Sequence, residues 1–356
     1  MIDYTPFLKL KVNEVAGLSA LVPAVKSALI PFFDLPQKPT LTAASFERMV
    51  TKGAASVARH LDDVPAFFLD NFDIDDSIVV GGKDNYVFVM EAFQDLPFIP
   101  VIGLDRAPGR NDVVFAAKKA GVVSSSAFAL RLQSDDFSSY GVIAAELEEL
   151  LEEALTHFDK STLILDNRVC LNLDPAKRAI ELSQFIKDFS SKNVADRIIV
   201  VGSSIPPSIG QIVGVQSELV QERVELQIFH AVRKAVGDGV GIGDYTIVSP
   251  LYSDVDIPPA VMLNVMAPRV IYSYDKVHFV VRGGALRTHP RGNLQYNDIA
   301  ASLLTKPFYR GPGYSFGDGF ISDKANMIGN QVTPGSILKP TINAHITYMA
   351  QTFGLP

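Results

Sequence analysis

Carboxylates and one guanidinium recur at the ends of apolar runs along the chain. Asp34, Asp70, Asp105 and Asp166 each close such a run, and Arg131 closes another. If they meet in one place, the carboxylates can bind a divalent cation through oxygen or pair an acid with a base. An arginine among them can be a fixed ion-pair centre or a clamp for a carboxylate or phosphate. Alternatively, an individual Asp can cap the helix that follows it.

The apolar runs themselves predict buried parallel strands. They lie at residues 30–34, 66–70, 100–105, 127–131, 162–166, 198–203, 243–248 and 269–274. Their starts are roughly 30–40 residues apart, the length of one strand-plus-helix unit. Continuous apolar runs suit parallel strands that are buried on both faces. Eight such units predict a closed (β/α)₈ barrel, with the strand-end residues at one mouth and Ser203 and Asp244 among them.

Helices are predicted between these strands. The expected segments are 15–28, 42–60, 84–94, 110–120, 140–157, 174–191 and 217–235. The glutamates of 142–157 lie mostly outside its apolar face and are interpreted as a solvated surface. Asp174-Pro175 is typical of an N-cap followed by proline at the first helical position. Residues 4–12 are interpreted as an extended start outside the repeat.

The pattern changes after the seventh predicted strand. Residues 250–268 contain four prolines and are predicted to be a long loop. Asp275-Lys276 is predicted to join two strands, 270–274 and 277–282, as a tight hairpin. Residues 293–304 are expected to form the last barrel helix, and the tail 306–356 to pack over one end of the barrel. We therefore expect one domain, a barrel over 1–305 with the tail attached.

Composition excludes several classes of protein. The 356 residues are 47% hydrophobic and 20% charged, with a net charge of −7. This acidity argues against general nucleic-acid binding, although a local basic patch is compatible with it. A single cysteine, Cys170, excludes an intrachain disulfide. No apolar stretch reaches about 18 residues and no signal peptide is visible, so we expect no membrane span and a cytoplasmic location.

The remaining motifs are weaker indicators of function. The six histidines show no zinc-ligand spacing, and His345 is a candidate for acid–base work. A glycine-rich dinucleotide-binding motif follows a strand and opens a helix, whereas the glycines of 237–243 precede a predicted strand. We therefore interpret residues 237–243 as a flexible turn. Neither a phosphate-binding loop nor a nucleophile elbow is present. The sequence identifies no metal and no cofactor.

Further cations and polar groups are candidates for the same mouth. Arg223 and Glu225 fall early in a predicted helix, where neighbouring residues point apart, so a tight pair between them is not expected. Surface charges are one interpretation of Arg223, and a place beside the acids is the other. Arg282 is a second candidate cation. Asp244 and Tyr245 are predicted to contact a ligand, unless Asp244 opens its strand and lies at the opposite end of the barrel.

The order of several short motifs resembles the beta protein family of phage and bacterial mobile-element genomes. The motifs are Tyr4-Thr5-Pro6-Phe7-Leu8-Lys9-Leu10-Lys11, Ile30-Pro31-Phe32-Phe33-Asp34-Leu35-Pro36, Arg223-Val224-Glu225, Gly243-Asp244-Tyr245, Arg282-Gly283-Gly284, Gly317-Asp318-Gly319-Phe320-Ile321 and Asn343-Ala344-His345-Ile346-Thr347-Tyr348. The resemblance implies a phage or mobile-element setting but does not imply a particular reaction. It favours Arg223 as a site residue. Asp34 stands where Glu is expected, and Ala344 where a second histidine is expected.

Two functions follow as hypotheses. In the first, the protein is an enzyme or a degenerate enzyme that binds a small polar or anionic ligand in the mouth. Asp70, Asp105 and Asp166 would then be acid, base or metal ligands, and Arg131 the anion clamp. In the second, it is a non-catalytic component of a phage or defence locus, inhibitor-like or antitoxin-like. It would then contact a protein partner and use the barrel as a scaffold.

Overall fold

The computed structural model describes residues 3–38, 40–107, 109–252 and 266–351. Its strands are, in chain order, β1 (Tyr4–Lys9), β2 (Phe32–Asp34), β3 (Phe67–Asp70), β4 (Val79–Val80), β5 (Lys83–Asp84), β6 (Phe98–Ile102), β7 (Ala127–Gln133), β8 (Lys160–Val169), β9 (Arg197–Ser203), β10 (Ser217–Glu222), β11 (Val240–Asp244), β12 (Arg269–Tyr274) and β13 (Val277–Arg282). Eight of them close a parallel barrel in the order β1-β11-β9-β8-β7-β6-β3-β2. The barrel prediction is confirmed.

Both faces of each barrel strand are buried, which explains the unbroken apolar runs. One set of side chains fills the barrel interior, where the rings of Phe7 and Phe32 stack with centroids 4.2 Å apart and Phe68 lies beside them. The alternate set, including Phe33 and Leu69, packs outward into the main core under the helices. Because both faces of these strands are apolar, most of their polar residues lie toward the strand ends.

The eighth barrel strand was assigned wrongly from the sequence. It is β1, which pairs with β2 and β11, and not residues 269–274. Thr5, Pro6 and Lys9 interrupt the apolar run of β1, so it looked like an extended start. The segment 269–274 is instead β12, which pairs antiparallel with β13, and β13 pairs with β10. The tight hairpin between β12 and β13 is confirmed.

Two further boundaries differ from the expectation. Residues 217–222 form β10 rather than the start of a helix, because their alternating side chains pair with β13. The predicted strand 243–248 is β11, Val240–Asp244, which begins three residues earlier inside the glycine run. Part of that run is therefore barrel strand and not a flexible turn. Asp244 ends its strand, so it lies at the mouth.

The helices are α1 (Val12–Ser19), α2 (Pro23–Lys26), α3 (Ala43–His60), α4 (Asn85–Ala92), α5 (Arg110–Lys119), α6 (Tyr140–Leu155), α7 (Pro175–Ser190), α8 (Val224–Val236), α9 (Gln295–Leu304), α10 (Phe316–Ala325) and α11 (Leu338–Met349). Those predicted at 42–60, 84–94, 110–120, 140–157 and 174–191 are confirmed within two residues at either end. Asp174 caps α7 by accepting the backbone N–H groups of Ala176 and Lys177. The single helix expected over 15–28 is two short helices, because Pro23 begins the second.

The C-terminal helices connect the small sheet to the barrel. Tyr296 and Ile299 of α9 pack on Val270 of β12, so α9 is not the last barrel helix. The amide of Asn343 on α11 donates to the backbone carbonyl of Gly17 on α1 at 3.1 Å. Within the four described ranges, no helix combines the length and hydropathy needed to cross a bilayer. Most of the proline-rich loop, residues 253–265, lies outside the described residues.

We predict that Gly243→Ala destabilises the barrel by about 1–3 kcal/mol through overpacking. A Cβ at this position would lie 2.8 Å from Phe7 Cε2 and 3.0 Å from Val201 Cγ2. Gly239→Ala is the matched control in the same run, because its Cβ would meet no atom within 4 Å. Urea unfolding of both variants measures the difference, and equal midpoints would contradict the packing argument.

Candidate functional site in the barrel mouth

The centre of the mouth is the side chain of Arg131, which is fully buried. Its Nη1 donates to Asp34 Oδ1 at 2.7 Å and to Asp70 Oδ2 at 2.8 Å. Its Nε and Nη2 both donate to Asp166 Oδ2, at 3.1 and 2.6 Å, and Nη2 also donates to the hydroxyl of Tyr245 at 2.8 Å. Tyr245 in turn donates to Asp166 at 2.5 Å. We call these five residues the Arg131 network.

Every N–H donor of Arg131 is used inside this network. A guanidinium has five N–H donors, and the contacts above account for all five. Burial alone would lower the pKa of Arg131, but the surrounding carboxylates outweigh it and raise that pKa well above its usual value. Arg131 is therefore a permanently charged ion-pair centre with no donor left for a ligand.

Two carboxyl groups of the Arg131 network, those of Asp34 and Asp70, have pKa values shifted in opposite directions. Burial raises the pKa of Asp34 to about 6, against the opposing effect of Arg131. Burial also tends to raise the pKa of Asp70, but Arg106 and Arg131 together lower it below its usual value. Asp70 has two cationic partners, since Nη2 of Arg106 donates to its Oδ2 at 3.0 Å. Of these two side chains, Asp34 therefore takes up a proton more readily than Asp70.

A second layer covers the Arg131 network. The ring of Phe72 lies 5.2 Å from the guanidinium carbon of Arg131. The guanidinium carbons of Arg106 and Arg168 lie 5.0 and 5.2 Å from the centroid of the same ring. Arginine favours the faces of aromatic rings. Three guanidinium groups therefore surround one half-buried aromatic ring at the top of the mouth.

Several buried polar atoms in this layer lack a hydrogen-bond partner among the described residues. They are Nε and Nη1 of Arg106, Nη1 of Arg168 and Oδ2 of Asp73. The Nε of Arg106 lies 3.5 Å from Asp105 Oδ1, too far for a good hydrogen bond. Arg168 holds Asp73 through its other nitrogen, Nη2, which donates to Oδ1 at 3.2 Å. Buried donors of this kind are costly unless a water or a ligand satisfies them.

Lys9 is a further cation beside this layer. It is the last residue of β1, and its ammonium nitrogen lies 3.5 Å from the centroid of the Tyr252 ring. Burial and the neighbouring charge of Lys11 lower the pKa of Lys9 to about 8. A lysine with this pKa can exchange a proton near neutral pH.

Asp244 anchors a separate set of ion pairs on the next part of the rim. Its Oδ2 accepts from Arg223 Nη2 at 2.6 Å, and its Oδ1 accepts from the hydroxyl of Tyr4 at 2.9 Å. Arg223 Nε donates to Glu225 at 2.8 Å, and Nε2 of His345 lies 2.9 Å from Asp244 Oδ2. We call these five residues the Asp244 network. All five are buried.

The pair between Arg223 and Glu225 was not expected from the sequence. The helix begins only at Val224, so Arg223 is its N-cap, with a non-helical φ of −94° and ψ of 89°. That backbone turns the Arg223 side chain toward Glu225, whereas two residues within one helix would point apart. The interpretation of these charges as surface residues is wrong.

A chain of hydrogen bonds leads from Asp244 to the small sheet. Nδ1 of His345 lies 2.6 Å from Ser273 Oγ, which lies 2.9 Å from Nδ1 of His278. Burial lowers the pKa of His345 and of His278, so both rings are neutral at neutral pH. His345 then donates its Nε2–H to Asp244 and accepts from Ser273 at Nδ1. This array holds acid, imidazole and hydroxyl in line, but all of it is buried.

Comparison with known proteins identifies the family. A family model described as Beta protein matches residues 4–351. The chain belongs to the Beta protein family. The resemblance found in the sequence is thereby confirmed, and it covers almost the whole chain. No curated protein matches this Beta protein sequence.

Solved structures resemble this member of the Beta protein family only distantly. The carboxyl transferase domain of Rhizobium etli pyruvate carboxylase, solved with 3-bromopyruvate, is 12% identical with a TM-score of 0.36, covering 99% of this chain and 61% of that chain. Glutamate racemase RacE1 of Bacillus anthracis is 12% identical with a TM-score of 0.20, covering 69% of this chain and 78% of that chain. The chain thus spans about three-fifths of the carboxyl transferase domain.

The structure separates the candidate residues into two groups and leaves three aside. Asp34, Asp70, Arg131, Asp166 and Tyr245 meet in the Arg131 network, and Arg223, Asp244 and His345 meet in the Asp244 network. Asp105 lies beyond the end of β6, beside Arg106. Ser203 accepts the backbone N–H of Ile205 in a turn, and Arg282 donates to the carbonyl of Val213 outside the barrel. In the described parts of the chain, no group of three or more acidic, histidine or cysteine side chains is placed to hold a metal ion.

The sequence reasoning missed the second layer of the mouth. Lys9 ends a barrel strand, so the rule that selected the aspartates would have found it had β1 been recognised. Phe72 and Asp73 lie two and three residues after Asp70, and Arg106 follows Asp105, so each lies in a strand–helix loop of the predicted repeat. Arg168 lies two residues after Asp166, at a positive φ of 54° that carries no sequence signal in an arginine.

Proposed function

We propose that the barrel mouth binds a small polar ligand with an anionic group, above the Arg131 network. Arg106, Arg168 and Lys9 are the cationic contacts for this ligand, and Asp73 accepts a hydroxyl or ammonium group from it. Arg131 is not the anion clamp but the fixed floor of the site. A carboxylate or phosphate is the group that arginine donors in this arrangement match best.

One observation carries this proposal. Arg131 uses every donor within the protein, whereas its neighbours Arg106 and Arg168 keep buried N–H groups without a partner among the described residues. Ligand sites typically combine apolar walls with a few convergent polar groups, which here are Phe72 and the two arginines. The mouth at the carboxyl ends of the strands is also where barrels of this type hold their ligands.

An enzymatic form of this proposal depends on Lys9. Asp70 and Asp166 are engaged by arginine and are positioning groups, so proton transfer falls to an amine that changes charge near neutral pH. Lys9, with a pKa of about 8, is that amine. A phage or mobile-element setting, a role in anti-phage defence and a cytoplasmic location all remain predictions.

The alternative function is a non-catalytic scaffold that contacts a protein partner. The saturation of Arg131 favours it, since a network closed on itself stabilises a fold without any ligand. This alternative predicts that small anions do not stabilise the protein and that the mouth arginines are dispensable for binding the partner.

The test is ligand-induced stabilisation measured by thermal unfolding. We expect one or more members of a panel of phosphate, L-malate and glycerol 3-phosphate to raise the melting temperature. A ligand at a hundredfold its Kd adds about 2.7 kcal/mol of stability. Arg106→Gln and Arg168→Gln should abolish the shift, while Arg178→Gln, which breaks an ion pair with Glu181 on α7, should leave it intact. Equal shifts in all variants, or no shift in the wild type, would rule out the mouth site.

A further inference from the structure

A second cavity lies outside the barrel, between α1, α3 and the segments that follow β1 and β2. Its volume is about 440 Å³, within the range of small-molecule pockets. Its floor is apolar and includes Leu10, Val15 and Pro36, which are buried. Val12 and Met49 extend this apolar surface toward solvent, since Val12 is 79% exposed.

Four cations border the same cavity. They are Lys11 from the segment between β1 and α1, Lys38 from the loop after β2, and Arg48 and Lys52 from α3. Among the described residues, no acidic side chain lines the cavity. Within the part of the chain that the structure describes, none of the four has a carboxylate within 4.0 Å.

This concentration of positive charge is unusual for a chain whose net charge is −7. Four cations around one opening repel one another, and an anion at that opening relieves the repulsion. The apolar floor adds a second requirement, because a bare ion would leave it in contact with water. The occupant therefore needs both an anionic group and an apolar body.

We propose that this cavity binds an amphipathic anion, a small molecule with an apolar chain and one phosphate or carboxylate. The chain lies on Leu10, Val12 and Met49, and the anionic group lies among Lys11, Arg48 and Lys52. The site is separate from the ligand site proposed in the mouth. Tyr252 lies between the two, with the ammonium of Lys9 at 3.5 Å and that of Lys11 at 5.6 Å from its ring centroid.

Isothermal titration with octyl phosphate, below its micelle concentration, tests the proposal on the full chain. Octanol supplies the same apolar body without charge, and inorganic phosphate supplies the charge alone. We expect octyl phosphate to bind at least tenfold more tightly than either, with an affinity that falls as salt is raised. Octanol or inorganic phosphate binding as tightly as octyl phosphate to the Arg168→Gln variant, which lacks the proposed mouth site, would overturn the proposal.

Matched variants locate the binding. Lys52→Glu and Arg48→Glu should each weaken octyl phosphate binding about fivefold or more, whereas Arg59→Glu, an exposed charge reversal on the same helix, should not. Val12→Ser should weaken binding, but Val142→Ser, at a site 83% exposed on α6, should not. All these residues are exposed, so the fold is retained.

Two further outcomes decide the assignment. Arg168→Gln should leave octyl phosphate binding unchanged, because that residue lies in the mouth; loss of binding in this variant would move the ligand there and overturn the proposal. The last experiment measures binding of the protein to phosphatidylglycerol vesicles by sedimentation. Binding to vesicles without binding of monomeric octyl phosphate would assign the cations to a membrane surface and would also overturn it.

Discussion

Arg131→Ala is expected to lower the free energy of unfolding by about 3–5 kcal/mol, the cost of breaking a buried ion pair. Three carboxylates depend on this side chain: Asp34 and Asp166, whose cationic contacts in the described structure are with Arg131, and Asp70, which also contacts Arg106. Their desolvation was offset by the guanidinium and would be uncompensated in the variant. This is a large fraction of a typical stability of about 5–15 kcal/mol.

Chemical denaturation of wild type and variant measures this loss. Arg291→Ala is the control, since its pair with Asp298 is 44% and 53% exposed and should contribute about 0–1 kcal/mol. Because the buried carboxylates cause the loss, stability of Arg131→Ala should recover partly at low pH, where they can be protonated. An unchanged unfolding midpoint together with a lost ligand response would restore Arg131 as an anion clamp and contradict our assignment.

Arg223→Ala should cost a similar amount, again about 3–5 kcal/mol. The variant leaves Asp244 and Glu225 buried with fewer compensating charges. The hydroxyls of Tyr4 and Ser204 and the neutral ring of His345 still donate to these carboxylates, but none of them carries a full charge. The remaining hydrogen bonds therefore compensate only part of the loss.

A double-mutant cycle separates the pair from its surroundings. Asp244→Asn alone should destabilise, and adding Arg223→Ala should cost less than the sum of the two single changes, since the residues contact each other at 2.6 Å. Arg233→Ala on α8, whose partner Asp238 is 89% exposed, serves as the control. Additive losses would show that the two side chains do not interact energetically.

The barrel was predictable because buried parallel strands leave a direct trace in the sequence. Segments such as 66–69 and 163–165 are apolar throughout, and a period of one strand and one helix is long enough to recognise. β1 was missed because its polar residues serve the mouth and the ion pairs, and those same residues break the apolar pattern. A local pattern also cannot distinguish a barrel strand from an antiparallel one, which is why β12 was misplaced.

The candidate site was predictable at its first layer only. The rule that strand ends converge brings Asp34, Asp70, Arg131 and Asp166 together, and the structure does place them in contact. Whether Arg131 binds a ligand or closes a network depends on which donors are already used, and that is a property of three-dimensional distances. Arg168 lies at a register irregularity near the end of β8, and Phe72 lies in the loop after β3. At such places the sequence predicts a position along the chain but not the direction of the side chain.

The pairing of β1 with β11 delays barrel closure until late in synthesis. β1 is the earliest strand of this barrel in chain order, yet it needs partners near residue 242, and Tyr4 and Asp244 are 240 residues apart. His345 reaches the same carboxylate only after about a hundred more residues have emerged. Contacts of such long range slow folding and leave strand edges exposed in the meantime. A nascent chain stalled before α11 would carry a closed ring of strands with an incomplete Asp244 network, a form that chaperones and proteases can distinguish from the finished protein.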